Sequence, residues 1–444
     1  ETSEKWGKAV AERGGIPLTY CQTGFRSEDY AFAFPEHMLF DKATAWRHES
    51  YKRPLDDDEF WGNAWRKNFR LWGYDYTDPD FIEHMRQVYA SFRAGGIKGL
   101  MFDYPATGWA AAGGLEDAYA TTAGAYRNIF RLAKEGLGPE CYIHERNMER
   151  GSDITLGLVT SQRTENDTAR ISPDVVTRCG LRWYKNRVVV NYDADSKNVW
   201  RLREDRDAVR SLFTMSYVTT GRLLLANSFS QLPPEIIHDL TRIYPFHTTP
   251  KSARPVDALT ERYPRVYDFE VSPHWHQLTF YNPDPEEATT VGVALAGDTA
   301  EGTLGLDPSE SYYVYDFWND AFVGEVSGGE SLAQRLRPGE ARMMSVHAVK
   351  DHPQFISTDR HIMQGYVDLV RTQWLPGRNL LQGISRIVGG DKYAVIVAAN
   401  GRTARSVTVS NPDAQAELET IDDGLVRLTL TRAENAIVEW TIGF

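Results

Sequence analysis

IKGLMFDY, running from Ile97 to Tyr104, reads as a buried strand that ends in a carboxylate. The residues before it read as a helix. Asp78 and Pro79 supply an N-cap and a first helical position. Phe81, Met85, Val88 and Phe92 follow at helical spacing, and Gly95-Gly96 stop the run. A continuously apolar strand after a crossover helix implies a parallel sheet covered on its faces. Asp103 then stands at the carboxyl end of a strand, where such sheets present their functional groups. The structural alternative for an Asp at that place is a cap on the next helix or an ion pair with a basic neighbour.

The same grammar recurs. After a helical stretch from about Leu115 to Lys134 come CYIHE (Cys141 to Glu145), LGLVTSQ (Leu156 to Gln162) running into RTENDT (Arg163 to Thr168), RVVVNY (Arg187 to Tyr192) running into Asp193 and Asp195, and LLLA (Leu223 to Ala226). Strand, polar tip and helix in repetition form the pattern of a (β/α) barrel, whose reacting groups come from the ends of several strands. Two carboxylates facing one pocket suit glycosidic bond cleavage. One attacks the anomeric carbon, and the other, kept protonated, donates to the leaving oxygen.

With these segments in view, the chain resembles the α-galactosidase clan of retaining glycoside hydrolases, families 27 and 36, over about its first 250 residues. IPLTYCQTGFRSEDYAFAFPEHML (Ile16 to Leu39) looks like the clan's third barrel strand and loop, and NFRLWGYDYTDPDF looks like the segment before its next helix. The resemblance implies that Asp103 in MFDY is the nucleophile. Asp167, in the Arg-x-x-x-Asp arrangement of RTENDT, would be the acid/base, with Arg163 contacting the sugar. Glu145 in IHERN would read the sugar's 2-position. Sliding the motif puts Glu165 or Asn166 in the acid/base slot, and Asp193 is a further candidate; the Asp167 register preserves the Arg. His144, Asp193, Tyr20, Tyr104 and Trp109 complete the expected substrate-binding set, the three aromatic residues lying at or just past strand tips, where a ring can stack on a sugar. The clan's galactose-specific members carry a Lys two residues before the nucleophile. Met101 stands there here, so the sugar's 3- and 4-hydroxyls lose a ligand and galactose specificity is in question.

On this alignment Glu1 to Arg13 is the second helix, and the first two strands are not in the sequence. Six strands alone would expose two edges, at a physical cost. We therefore expect an N-terminal part of the same protein to complete a (β/α)8 TIM-type barrel. Beyond about Pro250, Val266–Phe269, His274–Tyr281, Thr289–Leu295, Tyr312–Trp318 and Ala341–Val349 are short strand-like runs between turn clusters. A second such block ends in VEWTIGF. Gly389-Gly390 and Asp423-Gly424 read as hairpin turns. The expected organisation is a catalytic barrel over 1–252, an antiparallel β domain over 253–352 and a C-terminal β-sandwich over 353–444. Packing against the barrel is the main role expected of the β domains, with sugar binding on Trp275 or Trp318 as the alternative.

At 444 residues and 42% hydrophobic content the chain can bury more than one core. Its net charge of −12 argues against nucleic acid or an anionic membrane surface as partner. No run of about 18 apolar residues occurs to span a bilayer. The N-terminus is charged and amphipathic, without a signal peptide's apolar centre, and a processed or truncated chain has the same appearance, so no compartment is assigned. The three cysteines, Cys21, Cys141 and Cys179, are expected as reduced thiols. His144 and Glu145 are adjacent, which in a strand sends them to opposite faces, so they do not grip one ion together. DADSKN from Asp193 echoes a calcium loop without its Gly or its later Glu. No redox or metal cofactor is expected. The expected partner is an oligosaccharide or polysaccharide, and self-association is compatible with the sequence.

The reading is a retaining exo-glycosidase acting on α-glycosides by double displacement. A transglycosylase of the same clan shares every residue named. A catalytically inactive carbohydrate-binding protein is the alternative of a different class.

Overall fold

A computed structural model of the chain describes residues 2–22, 25–27, 30, 33–39, 71–103, 115–146, 153–164, 178–422 and 424–444. The chain divides into two compact units, 1–164 with 189–193, and 165–188 with 194–444.

The first unit opens with helix α1 (Thr2–Ala11) and strand β1 (Leu18–Gln22). Helix α2 (Pro79–Ala94) leads into β2 (Gly99–Asp103), and helix α3 (Thr122–Leu137) into β3 (Tyr142–Glu145) and β4 (Ser161–Arg163). Strand β5 (Asn191–Lys197) starts in this unit and continues into the second, which holds β6 (Arg222–Leu225). These six strands form one parallel sheet in chain order. That order is the signature of a (β/α) barrel.

Helix α2 begins where the sequence says. The Asp78 carboxylate accepts from the Phe81 amide at 2.9 Å, and Pro79 needs no amide partner in the first turn. The helix stops at Gly95-Gly96, where Gly96 has φ of 81°. Its buried stripe is Phe81, Met85 and Tyr89, flanked by half-buried Val88 and Phe92. Helix α3 starts later than Leu115, because Asp75 and Thr77 hold the stretch before it. Asp75 accepts from the Glu116 amide at 2.7 Å and Thr77 from the Asp117 amide at 3.2 Å, and only Thr121 provides a cap, accepting from Gly124 at 3.0 Å. The two helices pack closely at Gly136, where a side chain's Cβ would lie 2.3 Å from that of Tyr89. Phe102, fully buried on β2, packs edge-on against Phe130 of α3 and Tyr89 of α2.

The sequence and the structure differ along β4 and β5. Residues 153–158 form turns, with Gly157 at φ 84°, so β4 keeps only the end of the apolar run. RVVV is not the fifth strand. Arg187 has φ of 64°, and Val188 and Val189 are half-exposed, so β5 starts at Asn191. Asp193 and Asp195 therefore lie within the strand rather than beyond its tip, and both are buried.

In the second unit, helices α4 (Arg206–Thr219) and α5 (Pro234–Thr241) precede the antiparallel strands. A six-stranded sheet and a two-stranded sheet enclose a core of Leu278, Phe280, Val291, Val293, Val314, Leu332 and Val346. Two four-stranded sheets then enclose Tyr393, Val395, Leu428, Trp440 and Ile442. The first strand of this sandwich is Gln354–Thr358, at the start of the expected C-terminal domain. Gly389-Gly390 does not close a hairpin, because the strands it joins, Leu380–Ile387 and Tyr393–Ala398, belong to different sheets. Trp275 stacks on His347 at 5.0 Å, and Trp318 donates to Thr214 at 2.7 Å, so both indoles are used in packing. Cys21, Cys141 and Cys179 form no disulfide among the described residues. Among the described residues no helix is long and apolar enough to cross a membrane.

Candidate active site

Register assigns each strand residue to a face. Across the sheet Tyr20 aligns with Met101, Met101 with His144, His144 with Ser161 and Ser161 with Asn191. Two residues further along, Asp103 follows Met101 on β2, and Arg163 aligns with Asp193. Parallel partners share a face and side chains alternate, so these two rows line one side of the sheet. The intervening row, Cys21, Phe102, Glu145, Gln162 and Tyr192, lines the other side. Phe102 packs against α2 and α3, so this second side faces the helices and the first side is the barrel interior.

Asp103 closes the inner face at the carboxyl end of β2, and only 8% of it is exposed. The Tyr20 hydroxyl donates to its Oδ2 at 3.0 Å. Arg146, immediately after β3, brings its Nε to 3.6 Å from Oδ1. The same guanidinium reaches the Met101 sulfur with Nη1 at 3.4 Å. One hydroxyl donor, from Tyr20, and one cation, from Arg146, thus flank the carboxylate from two neighbouring segments. The sequence reading did not name Arg146. The signal was the alternation itself: once Asp103 and His144 face inward, so does the residue two after His144.

His144, fully buried, shares a hydrogen bond with the Ser161 hydroxyl at 2.7 Å through Nδ1 and has Nε2 at 4.0 Å from the Asp193 carboxylate. Arg163 and Asp193 are register partners at the strand ends, and the Thr164 amide donates to the Asp193 carbonyl at 2.7 Å. Tyr20, Asp103, His144, Arg163 and Asp193 therefore share the inner face. Tyr104, Trp109 and Asp167, together with Glu165 and Asn166, lie outside the described residues.

Glu145 points the other way, and the expected sugar contact does not fit its position. Its neighbour His144 takes the inner face, and adjacent strand residues alternate. The Glu145 carboxyl is fully buried on the helix side. It accepts from Tyr126 at 2.5 Å, Thr155 at 2.6 Å and Gln162 at 2.8 Å. Burial raises its pKa to about 7 despite these three donors. The consequence for stability has a definite sign. Between about pH 4.5 and 7 the unfolded chain ionises this group while the folded chain keeps it protonated, so stability falls as pH rises through that window. The contribution is roughly 3 kcal/mol. Glu145→Gln should flatten that decline when urea unfolding is compared at pH 4.5 and pH 8, and parallel profiles for the two proteins would refute the assignment.

Among the described residues no group of three or more His, Cys, Asp or Glu side chains is arranged to hold a metal ion.

No protein-family model matches the chain, and no curated protein sequence matches it. Solved structures do. A family GH27 β-L-arabinopyranosidase from Geobacillus stearothermophilus is 14% identical over 78% of this chain and 76% of its own, with a TM-score of 0.54. A variant of that enzyme in complex with arabinose is 12% identical over 78% of each chain, with a TM-score of 0.53. An isomaltodextranase from Arthrobacter globiformis T6 complexed with panose is 14% identical over 99% of this chain and 84% of its own, with a TM-score of 0.49. At these identities the likeness to the arabinopyranosidase is one of fold: a (β/α) barrel followed by β-sandwich structure.

Proposed function

We propose that the protein is a retaining glycoside hydrolase of the α-galactosidase clan, acting on α-glycosides with Asp103 as nucleophile. The observation that carries this reading is the setting of Asp103. A nearly buried carboxylate at the carboxyl end of an inner barrel strand is held by Tyr20 and faced by Arg146, an arrangement suited to attack on an anomeric carbon. In the first step an Asp103 oxygen bonds to the anomeric carbon as the glycosidic bond breaks, and the acid/base gives its proton to the leaving oxygen. In the second step the acid/base takes a proton from water, which displaces Asp103. We assign the acid/base role to Asp167, whose spacing from Arg163 in the sequence RTENDT supports it. Arg163, His144 and Asp193 would contact the sugar from the same inner face.

Arg146 supplies a cation next to Met101, close to where the clan's galactose-specific members place a Lys. A planar guanidinium entering from the neighbouring strand cannot reproduce the point contact of that ammonium. Across a panel of aryl α-glycosides, α-galactoside should therefore not be preferred tenfold or more over the next best sugar. Such a preference would show that Met101 leaves galactose recognition intact.

The reading is tested with an activated 2-deoxy-2-fluoro glycoside of the best panel sugar. A covalent adduct on the peptide containing Asp103 is expected by mass spectrometry. Turnover of the parent glycoside with inversion at the anomeric carbon, or an adduct elsewhere, would overturn it.

A further inference from the structure

The second unit carries a cleft of about 830 Å³, within the range of roughly 300 to 1,000 Å³ found for small-ligand sites. None of the residues assigned above to the reaction lines it. Its walls come from residues 244–249, which follow α5, from residues 360–368, which follow strand Gln354–Thr358, and from 386–388 and 435–437 at the ends of the paired strands Leu380–Ile387 and Ala436–Gly443. The apolar part of the lining includes Tyr244, Phe246 and Ile437. Tyr244 is 39% and Ile437 63% exposed, and the Tyr244 and Phe246 ring centroids lie 5.6 Å apart. Open rings beside open aliphatic surface form a footing on which the C–H face of a sugar can rest.

Two cations share this lining. Arg386 is the direct register partner of Ile437, so the two side chains stand on one face of the sheet. Arg386 donates through Nη1 to the Val367 carbonyl at 3.1 Å, and Arg360 through Nη1 to the Thr241 carbonyl at 2.9 Å. Each guanidinium carries five N–H donors, so most of each fork is left for a ligand. Among the described residues neither arginine forms an ion pair, and Asp391 is engaged by Arg242 at 2.7 Å. Asp368, the one acidic residue in the lining, is buried and pairs with neither. Burial and the charge of Arg242 lower the Arg360 pKa, as they do for a cation short of counter-charge. Positive charge on the apolar walls of a cleft focuses its field on the space between them, and this cleft belongs to a chain whose net charge is −12.

We propose that this cleft binds an acidic oligosaccharide, with a uronic acid carboxylate on Arg360 and Arg386 and sugar rings along Tyr244 and Ile437. The carbohydrate class rests on the hydrolase reading above, whereas the charge and the shape are those of the cleft itself. A neutral glycan would cover the rings and leave both forks unmatched. A lone phosphate would match the forks and leave the apolar floor open. A carboxylate carried on a pyranose ring meets both, because a planar guanidinium takes a carboxylate through two parallel hydrogen bonds. An acidic polysaccharide would then be held by residues that take no part in bond cleavage.

The test reads binding by the full chain rather than turnover, so its outcome is separate from the assignment of Asp103. In calorimetric titrations trigalacturonate should bind, with an affinity that falls as salt rises. Maltotriose, a neutral trisaccharide, and benzoate, a carboxylate without a sugar, should each bind at least about tenfold more weakly. Arg386→Gln, at an exposed position, should weaken trigalacturonate about tenfold while leaving the thermal midpoint in place, and adding Arg360→Gln should abolish binding. Dependence of binding on Arg386 without an adduct on Asp103 would retain the cleft and discard the reaction. No binding of trigalacturonate, equal affinity for the three compounds, or an unchanged affinity in Arg386→Gln would each overturn the proposal.

Discussion

Replacing Asp103 by Asn is expected to lower turnover of an activated aryl α-glycoside roughly 10⁴-fold or more, as loss of a covalent nucleophile does in other enzymes. The amide oxygen can still accept from Tyr20, so the pocket keeps its shape. Arg146 loses its counter-charge in a site with little solvent, and a modest fall in thermal stability should accompany the change. The companion variant Asp103→Gly separates chemistry from folding. With added azide, a small external nucleophile can enter the space left by the side chain, and a glycosyl azide of inverted configuration should form. Near-normal turnover by Asp103→Asn would remove this residue from the mechanism.

Arg146→Met should cost about 10² in kcat/KM, the scale of losing one preorganised charged donor from a shielded site. Methionine keeps the apolar stem and removes the guanidinium. If Arg146 acts mainly by orienting Asp103, kcat falls and KM stays. If it also holds a sugar hydroxyl, KM rises as well. Arg146→Lys should recover only part of the loss, because an ammonium cannot span the Met101 sulfur and the Asp103 carboxylate with one planar group. Activity within threefold of the parent in Arg146→Met would reduce the 3.6 Å contact to an incidental ion pair.

Much of the barrel was legible because its signals are local. Asp78, Pro79 and the Gly95-Gly96 stop delimit α2 within a few residues, and the apolar run before Asp103 specifies β2. Arg146 was not legible in the same way. Its importance depends on the register between β2 and β3, which is set by packing over the whole sheet and has no marker in either segment alone. Glu145 looked functional because it ends a strand, yet strand ends present both faces, and Tyr126 of α3 claims this one. RVVV misled for a third reason. β-branched composition favours an extended chain, and here a positive φ at Arg187, fixed by carbonyls 30 and 33 residues downstream, overrides it. In the C-terminal half the runs read at Trp275–Tyr281, Thr289–Ala294 and Ala341–Ala348 match their strands to within about a residue, because alternation is clean where one side of a sheet faces a core, whereas Ala321–Ser327 and Ser331–Leu336 were not read as strands.

The division of the chain between its two units bears on how the protein is made. One unit gains the start of β5 only after 24 residues assigned to the other have been synthesised, and the chain then passes over again within that same strand. On a translating ribosome the chain up to residue 164 would emerge with Ser161–Arg163 as an open edge of the sheet, awaiting a partner that is some seconds of elongation away. Neither unit corresponds to a contiguous stretch of message. Recombination that exchanged whole coding segments at residue 164 or 188 would separate β4 from its neighbour, so lineages descending from this chain should vary by substitution and loop insertion more readily than by shuffling one unit against another.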